Sequence, residues 1–275
     1  MVRNFCITAT LLLLMVLMAS TGLADIVPIS LSQSVSAGGG PIVCNVVGGG
    51  PPQFDCRTGS IELGASNTQP GPYTVDETGT ATVSLPDNES NETKVLGETI
   101  DLQQISDETS DSISVELSSE DQVFSPEPYG FFQSGVNSGL TNEYSLEFDL
   151  TAATVMHITG SISSFAMANL EDTPNVANVG FLLTGPGFQL ASPDNYYLPD
   201  LEYTAVLDPG VYTLKAFADI QDNTYFFSGP DESVGELSFN LISAVPEPRW
   251  AVLPALLLAI GIGGAALRRR KPAGS

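Results

Sequence analysis

The chain has 275 residues, with 32 Asp and Glu against nine Lys and Arg, a formal charge of −23 and a mean hydropathy of +0.14. So large an acidic excess argues against nucleic acid as a partner and repels anionic lipid unless cations intervene. One histidine and three cysteines leave little material for a metal centre or for thiol or imidazole catalysis.

In chain order, the first element is residues 1–24. Arg3 precedes the apolar run Ile7–Met18, and Gly22-Leu23-Ala24 offers small residues where a signal peptidase reads. The segment is expected to be a secretory signal peptide, helical while it lasts and cut before Asp25. Between Asp25 and Ala244 the chain carries 31 acidic residues against Arg57, Lys94 and Lys215, a formal −28. Such a region is soluble and self-repelling. Removal of Cys6 with the signal peptide leaves Cys44 and Cys56, which an oxidising exterior is expected to join as a disulfide around Gly48-Gly49-Gly50-Pro51-Pro52. Closing that loop is worth about 3 kcal/mol.

Residues 25–138 read as an acidic, Gly/Pro/Ser-rich N-terminal region that is only partly β. Gly and Pro crowd Gly38–Pro72, and acids with Ser and Thr crowd Asp87–Asp121, so part of this region is expected to be mobile. Ala81–Leu85 and Ile113–Leu117 nevertheless alternate apolar and polar residues, as half-buried strands do. Pro126-Glu127-Pro128 has no apolar run behind it and is expected to end a structural unit, with a boundary near residues 137–139.

Residues 139–244 read as a β-sandwich domain. Tyr144, Leu146, Phe148 and Leu150 alternate with Ser145, Glu147 and Asp149, the period-two signature of a strand with one buried face. Further strands are expected at Met156–Ile162, Val179–Leu183, Tyr203–Leu207, Val211–Phe217 and Glu236–Ile242, bounded by Gly185-Pro186-Gly187, Asp208-Pro209-Gly210 and Asp222-Asn223. The pair around Asp208-Pro209-Gly210 reads as a tight hairpin. Its wording, Leu207-Asp208-Pro209-Gly210-Val211-Tyr212-Thr213-Leu214, resembles a hairpin of exported bacterial β-sandwich modules, among them jelly-roll domains. The expected fold is therefore mainly β, an antiparallel and jelly-roll-like sandwich.

Catalytic groups are hard to find. His157 lies in a strand beside apolar Met156 and Ile158 and is expected to face solvent; no Gly-x-Ser-x-Gly elbow occurs, and the glycine triplets lack the Lys-Ser/Thr of a phosphate loop. No catalytic residue is nominated. The densest hard-oxygen clusters are Asp107 with Glu108 and Asp111, and Asp219 with Asp222 and Asn223, weak candidates for calcium because neither has EF-hand spacing. No other cofactor is expected.

The C-terminal segment is the most informative. Val245-Pro246-Glu247-Pro248 leads into Trp250–Leu267, which carries no charge, and then into Arg268-Arg269-Arg270-Lys271. Eighteen apolar residues at ~1.5 Å each reach about 27 Å as a helix, close to the ~30 Å of a bilayer core. The four cations form a membrane stop that keeps the tail cytoplasmic. Pro246 and Pro248 hold the backbone extended and present Glu247.

This order of proline-flanked glutamate, single span and arginine-rich end resembles the PEP-CTERM sorting signal. The resemblance covers residues 245–271. It implies a Gram-negative exporter of exopolysaccharide, passage through the inner membrane with a transient span, and processing near the motif by an exosortase, a membrane-embedded cysteine enzyme. The expected product is a non-enzymatic surface or matrix protein, exported and associated with exopolysaccharide or biofilm. The competing readings are a carbohydrate- or calcium-binding adhesion module and, behind it, a secreted glycosidase.

Overall fold

The computed structural model describes residues 25–47, 53–86, 93–124, 133–166, 176–192, 198–225 and 231–243. The chain divides into a compact unit up to Ser243 and a separate segment, Ala244–Ser275. The signal peptide, the sorting motif Val245–Pro248, the apolar span and the basic stop all lie outside the described residues. Among the described residues there is no helix, hence none long and apolar enough to cross a membrane.

Among the described residues, thirteen strands form two antiparallel sheets. One contains β1 (Ile26–Val47), β2 (Gln53–Thr58), β3 (Ile61–Asn67), β7 (Gln133–Leu150), β9 (Val176–Gly185), β10 (Phe188–Ala191) and β12 (Gly210–Tyr225). Its order is β10-β9-β12-β7-β1-β2, with β3 also on β1. The other contains β4 (Tyr73–Pro86), β5 (Thr93–Glu108), β6 (Ser112–Phe124), β8 (Thr154–Ala166), β11 (Leu198–Leu207) and β13 (Asp231–Ser243), in the order β11-β8-β13-β6-β5-β4. Their apolar inner faces pack on each other as a β-sandwich.

The strands expected at Tyr144–Leu150, Met156–Ile162, Val179–Leu183, Tyr203–Leu207, Val211–Phe217 and Glu236–Ile242 fall within β7, β8, β9, β11, β12 and β13, and Ala81–Leu85 and Ile113–Leu117 within β4 and β6. Alternation explains them: along β6, Ile113, Val115 and Leu117 are buried while Glu116 is exposed. The division near residues 137–139 is corrected. Those residues lie inside β7, and both halves of the chain supply strands to both sheets, because β1 is hydrogen-bonded along β7 from Ile26↔Leu150 to Cys44↔Gln133. The acid-rich segment is likewise largely strand, as β5 and most of β6.

The glycine triplet lets β1 run on. Gly39 and Gly40 sit at φ +137° and +154°, conformations that side chains rarely adopt. A Cβ on Gly40 would lie 2.3 Å from the carbonyl oxygen of Gly59, where the chain passes between β2 and β3. Beyond the triplet, Cys44 stands opposite Cys56 and the two form the expected disulfide between β1 and β2.

The expected Tyr203–Phe217 hairpin is also corrected. β11 pairs with β8 in one sheet, whereas β12 pairs with β7 and β9 in the other. Asp208-Pro209 is therefore an arch between sheets. Gly210 turns the backbone at φ +138°, and the Tyr212 hydroxyl donates to the carbonyl oxygen of Asp208 at 2.9 Å. This is a tyrosine corner, in which a ring near the start of a strand pins the chain that delivered it. The buried ring stacks on Phe148, with centroids 5.7 Å apart, and covers Gly185, where a Cβ would come within 2.1 Å of it.

Candidate functional site

The inner faces carry more than one core. A large apolar cluster holds Leu146, Phe148, Phe181, Leu214 and Phe239; a second holds Val35, Ile100, Leu102, Leu140 and Ile220; a third holds Val43, Val83, Leu96, Val123 and Val136. Two buried polar layers separate them. Along β5 the inward side chains run from Leu96 through Glu98 to Ile100 and Leu102, then to Gln104, Ser106 and Glu108.

In the layer between the first and second clusters both Glu108 oxygens are hydrogen-bonded, while Gln33 Oε1, Gln104 Oε1 and Asn142 Oδ1 accept no hydrogen bond. Gln33 donates to Ser106 at 2.6 Å, Tyr144 donates to Glu108 at 2.9 Å, and the Gly71 amide donates to the other Glu108 oxygen at 2.8 Å. Burial first, and Glu108 second, push the Tyr144 hydroxyl up, which keeps it a donor. Asn142 holds both sheets at once by donating to the carbonyls of Gln103 and Ser118.

The layer between the second and third clusters is different. Glu98 from β5, Asp121 from β6 and Asp222 from β12 are each fully buried, together with Ser138 of β7 and Ser233 of β13. The register sets Asp222 beside Ser138, and Asp121 beside Ser233. Ser138 donates to one oxygen of Asp121. The other Asp121 oxygen and both oxygens of Glu98 receive no hydrogen bond of ordinary geometry, although Ser138 and Asp121 are near enough to Glu98 to act on its titration. Glu98 is raised to about 7 and Asp121 to about 9, in both chiefly by desolvation, with repulsion from Glu98 and Asp222 contributing at Asp121.

The acids singled out in the sequence are scattered. Asp107 lies on β5 and Asp111 in the turn after it, accepting from the Thr109 hydroxyl. Asp219 and Asp222, three residues apart on β12, point to opposite faces, as odd spacing on a strand requires, so they do not share a site. Asp219 accepts from the Asn142 amide and is raised to about 6, chiefly by burial. Among the described residues no three His, Cys, Asp or Glu side chains are arranged to hold a metal ion. His157 is exposed, with its Nδ1 3.0 Å from the Thr204 hydroxyl. A shallow surface concavity of about 320 Å³ by Gly39, Gly40 and Gly59 has Glu62 as its one ionisable side chain.

Sequence reasoning missed Glu98 and Asp121. The signal was parity: Glu98 stands in step with Leu96, Ile100 and Leu102, and Asp121 in step with Leu117 and Val123.

No protein-family model and no curated protein matches the chain. Among solved structures, a GH31 alpha-xylosidase from Xanthomonas citri is 11% identical over 73% of this chain, with a TM-score of 0.19, and the chain spans 32% of that protein. The InvG secretin β-barrel from the Salmonella injectisome is 10% identical over 94% of this chain and 74% of its own, with a TM-score of 0.15. Likenesses this small carry no argument about activity.

Proposed function

We propose that this chain is an exported surface or matrix protein, directed by its PEP-CTERM-like tail to an exosortase-like enzyme of the inner membrane. Its delivered part is an acidic, non-enzymatic β-sandwich associated with exopolysaccharide. Residues 1–24 serve as the signal peptide, and Trp250–Leu267 as the transient span.

The observation that carries this reading is the compound tail, Val245-Pro246-Glu247-Pro248 followed by an uncharged run and Arg268-Arg269-Arg270-Lys271. The disulfide between β1 and β2 supports an oxidising destination. The location of the perturbed acids supports a non-catalytic role. Glu98 and Asp121 are sealed between the sheets, out of reach of a substrate, whereas a general acid has to approach the group it protonates.

The test is mass spectrometry of the mature protein from its native host, comparing wild type with a Pro246→Ala, Glu247→Ala, Pro248→Ala variant. Loss of the segment after the motif in wild type, with retention in the variant, is expected. An intact C-terminal segment in both would make it a plain membrane anchor and remove the matrix reading.

A further inference from the structure

We propose that Glu98 and Asp121 form a shared-proton site in the interior of the sandwich, so that the two sheets grip more firmly as the surroundings acidify and loosen as they become alkaline. The site is independent of how the tail is processed.

The geometry leaves the pair few alternatives. Both side chains are fully buried, and no hydrogen bond of ordinary geometry reaches either oxygen of Glu98 or the second oxygen of Asp121. An ionised carboxylate in that position would forfeit its hydration for little more than the Ser138 hydroxyl in exchange, which costs far more than keeping a proton. Among the described side chains no cation neutralises the pair. Arg57 is exposed and donates to the Ser84 carbonyl, and Lys215 is exposed on the outer face of β12. A calcium or magnesium ion would need about six converging oxygens, and among the described residues no three acidic side chains are arranged to hold a metal ion. A proton is the occupant that fits.

The groups that face the pair are known from each packed strand. β12 contributes the carboxyl of Asp222, which disfavours a second negative charge; β7 and β13 contribute the hydroxyls of Ser138 and Ser233. The buried residues that β1, β4 and β9 place beside the layer, Val43, Ala81, Val83 and Ala177, are uncharged. The site therefore titrates as a coupled carboxyl group rather than as two independent acids.

The direction follows from linkage. Both acids are raised on folding, so between the ordinary carboxylate range and about 7 for Glu98, or about 9 for Asp121, the folded chain holds protons that the unfolded chain has released. Stability is then fully present below the ordinary range, and it is lost as pH rises towards those values. Each proton held only by the folded state raises the unfolding equilibrium constant about tenfold per pH unit.

Urea denaturation of the full chain at several pH values from about 5 to about 9 tests this. Wild type is expected to lose stability steadily, whereas Glu98→Gln and Asp121→Asn, neutral mimics of the protonated acids, are expected to flatten the profile and to exceed wild type at the alkaline end. Variants that keep the wild-type slope, or that fall below wild type at alkaline pH, would overturn the proposal. So would a wild-type profile that calcium raises and a chelator lowers, an effect absent from Glu98→Gln, because the occupant would then be a metal ion. If the variants do not fold, infrared spectra of wild type decide. A carbonyl band from a buried protonated carboxyl at neutral pH, fading towards the alkaline end, supports the site, and its absence at neutral pH overturns it.

Discussion

Replacing Tyr212 with Phe removes one oxygen and isolates the contribution of the tyrosine corner. The lost interaction is the 2.9 Å hydrogen bond from the Tyr212 hydroxyl to the Asp208 carbonyl. A net hydrogen bond contributes about 0.5–1.5 kcal/mol, and because Asp208 is exposed its carbonyl regains water when the hydroxyl goes. The expected loss is therefore about 1 kcal/mol, or about 2–4 °C in Tm for a domain of this size. Tyr212→Ala also deletes the ring that stacks on Phe148 and covers Gly185, and should cost about 3–5 kcal/mol. Urea denaturation followed by circular dichroism, with slopes compared to confirm an unchanged unfolded state, separates the two. If Tyr212→Phe matches Tyr212→Ala, the hydroxyl rather than the ring is the anchor. If it matches wild type, the corner bond contributes nothing and the arch is held by packing alone. Either result refutes a split of the anchoring between hydroxyl and ring.

Two further changes probe the sheets. Breaking the Cys44–Cys56 bond by Cys44→Ala with Cys56→Ala should lower stability by about 3 kcal/mol, from the loop of sequence separation 12 that it closes; equal melting of wild type with and without reductant would refute this. Gly160→Ala should cost at least about 2 kcal/mol, since its Cβ would sit 2.1 Å from the Ser238 carbonyl oxygen, which belongs to the backbone of a paired strand and cannot step aside. Gly139→Ala on β7, where a Cβ meets nothing within 4 Å, is its control and should stay within about 0.5 kcal/mol of wild type; similar losses at both positions would refute the close approach as the cause.

Strands with a single wet face were legible from the amino acids. Tyr144–Leu150 alternates without interruption, and it lies where expected because only a sheet buries every second residue. β1 was not legible, since Gly38-Gly39-Gly40 and Pro41 read as a loop and only the neighbouring chains at Gly59 and Asn137 explain them. The Asp208-Pro209-Gly210 turn was found but its role was not. A turn encodes a reversal of direction, and a hairpin and an inter-sheet arch reverse it alike. The tyrosine two places after Gly210 was the distinguishing mark. The buried acids were hidden by abundance, because among 31 carboxylates charge alone says nothing, and only strand parity separates Glu98 and Asp121 from the surface.

The pairing of β1 with β7 has a kinetic consequence. Asp25 and Thr151 are bonded across 126 residues, so the opening strand has its principal partner only after more than half of the sandwich has emerged. Topologies dominated by such distant pairings assemble slowly, and until they do their open edges invite neighbouring chains. Most of the formal −28 between Asp25 and Ala244 has emerged by the end of β7, before any fold exists. Repulsion between unfinished copies is thus available when it is most needed, and the acidic coat acts as a chaperone written into the chain itself.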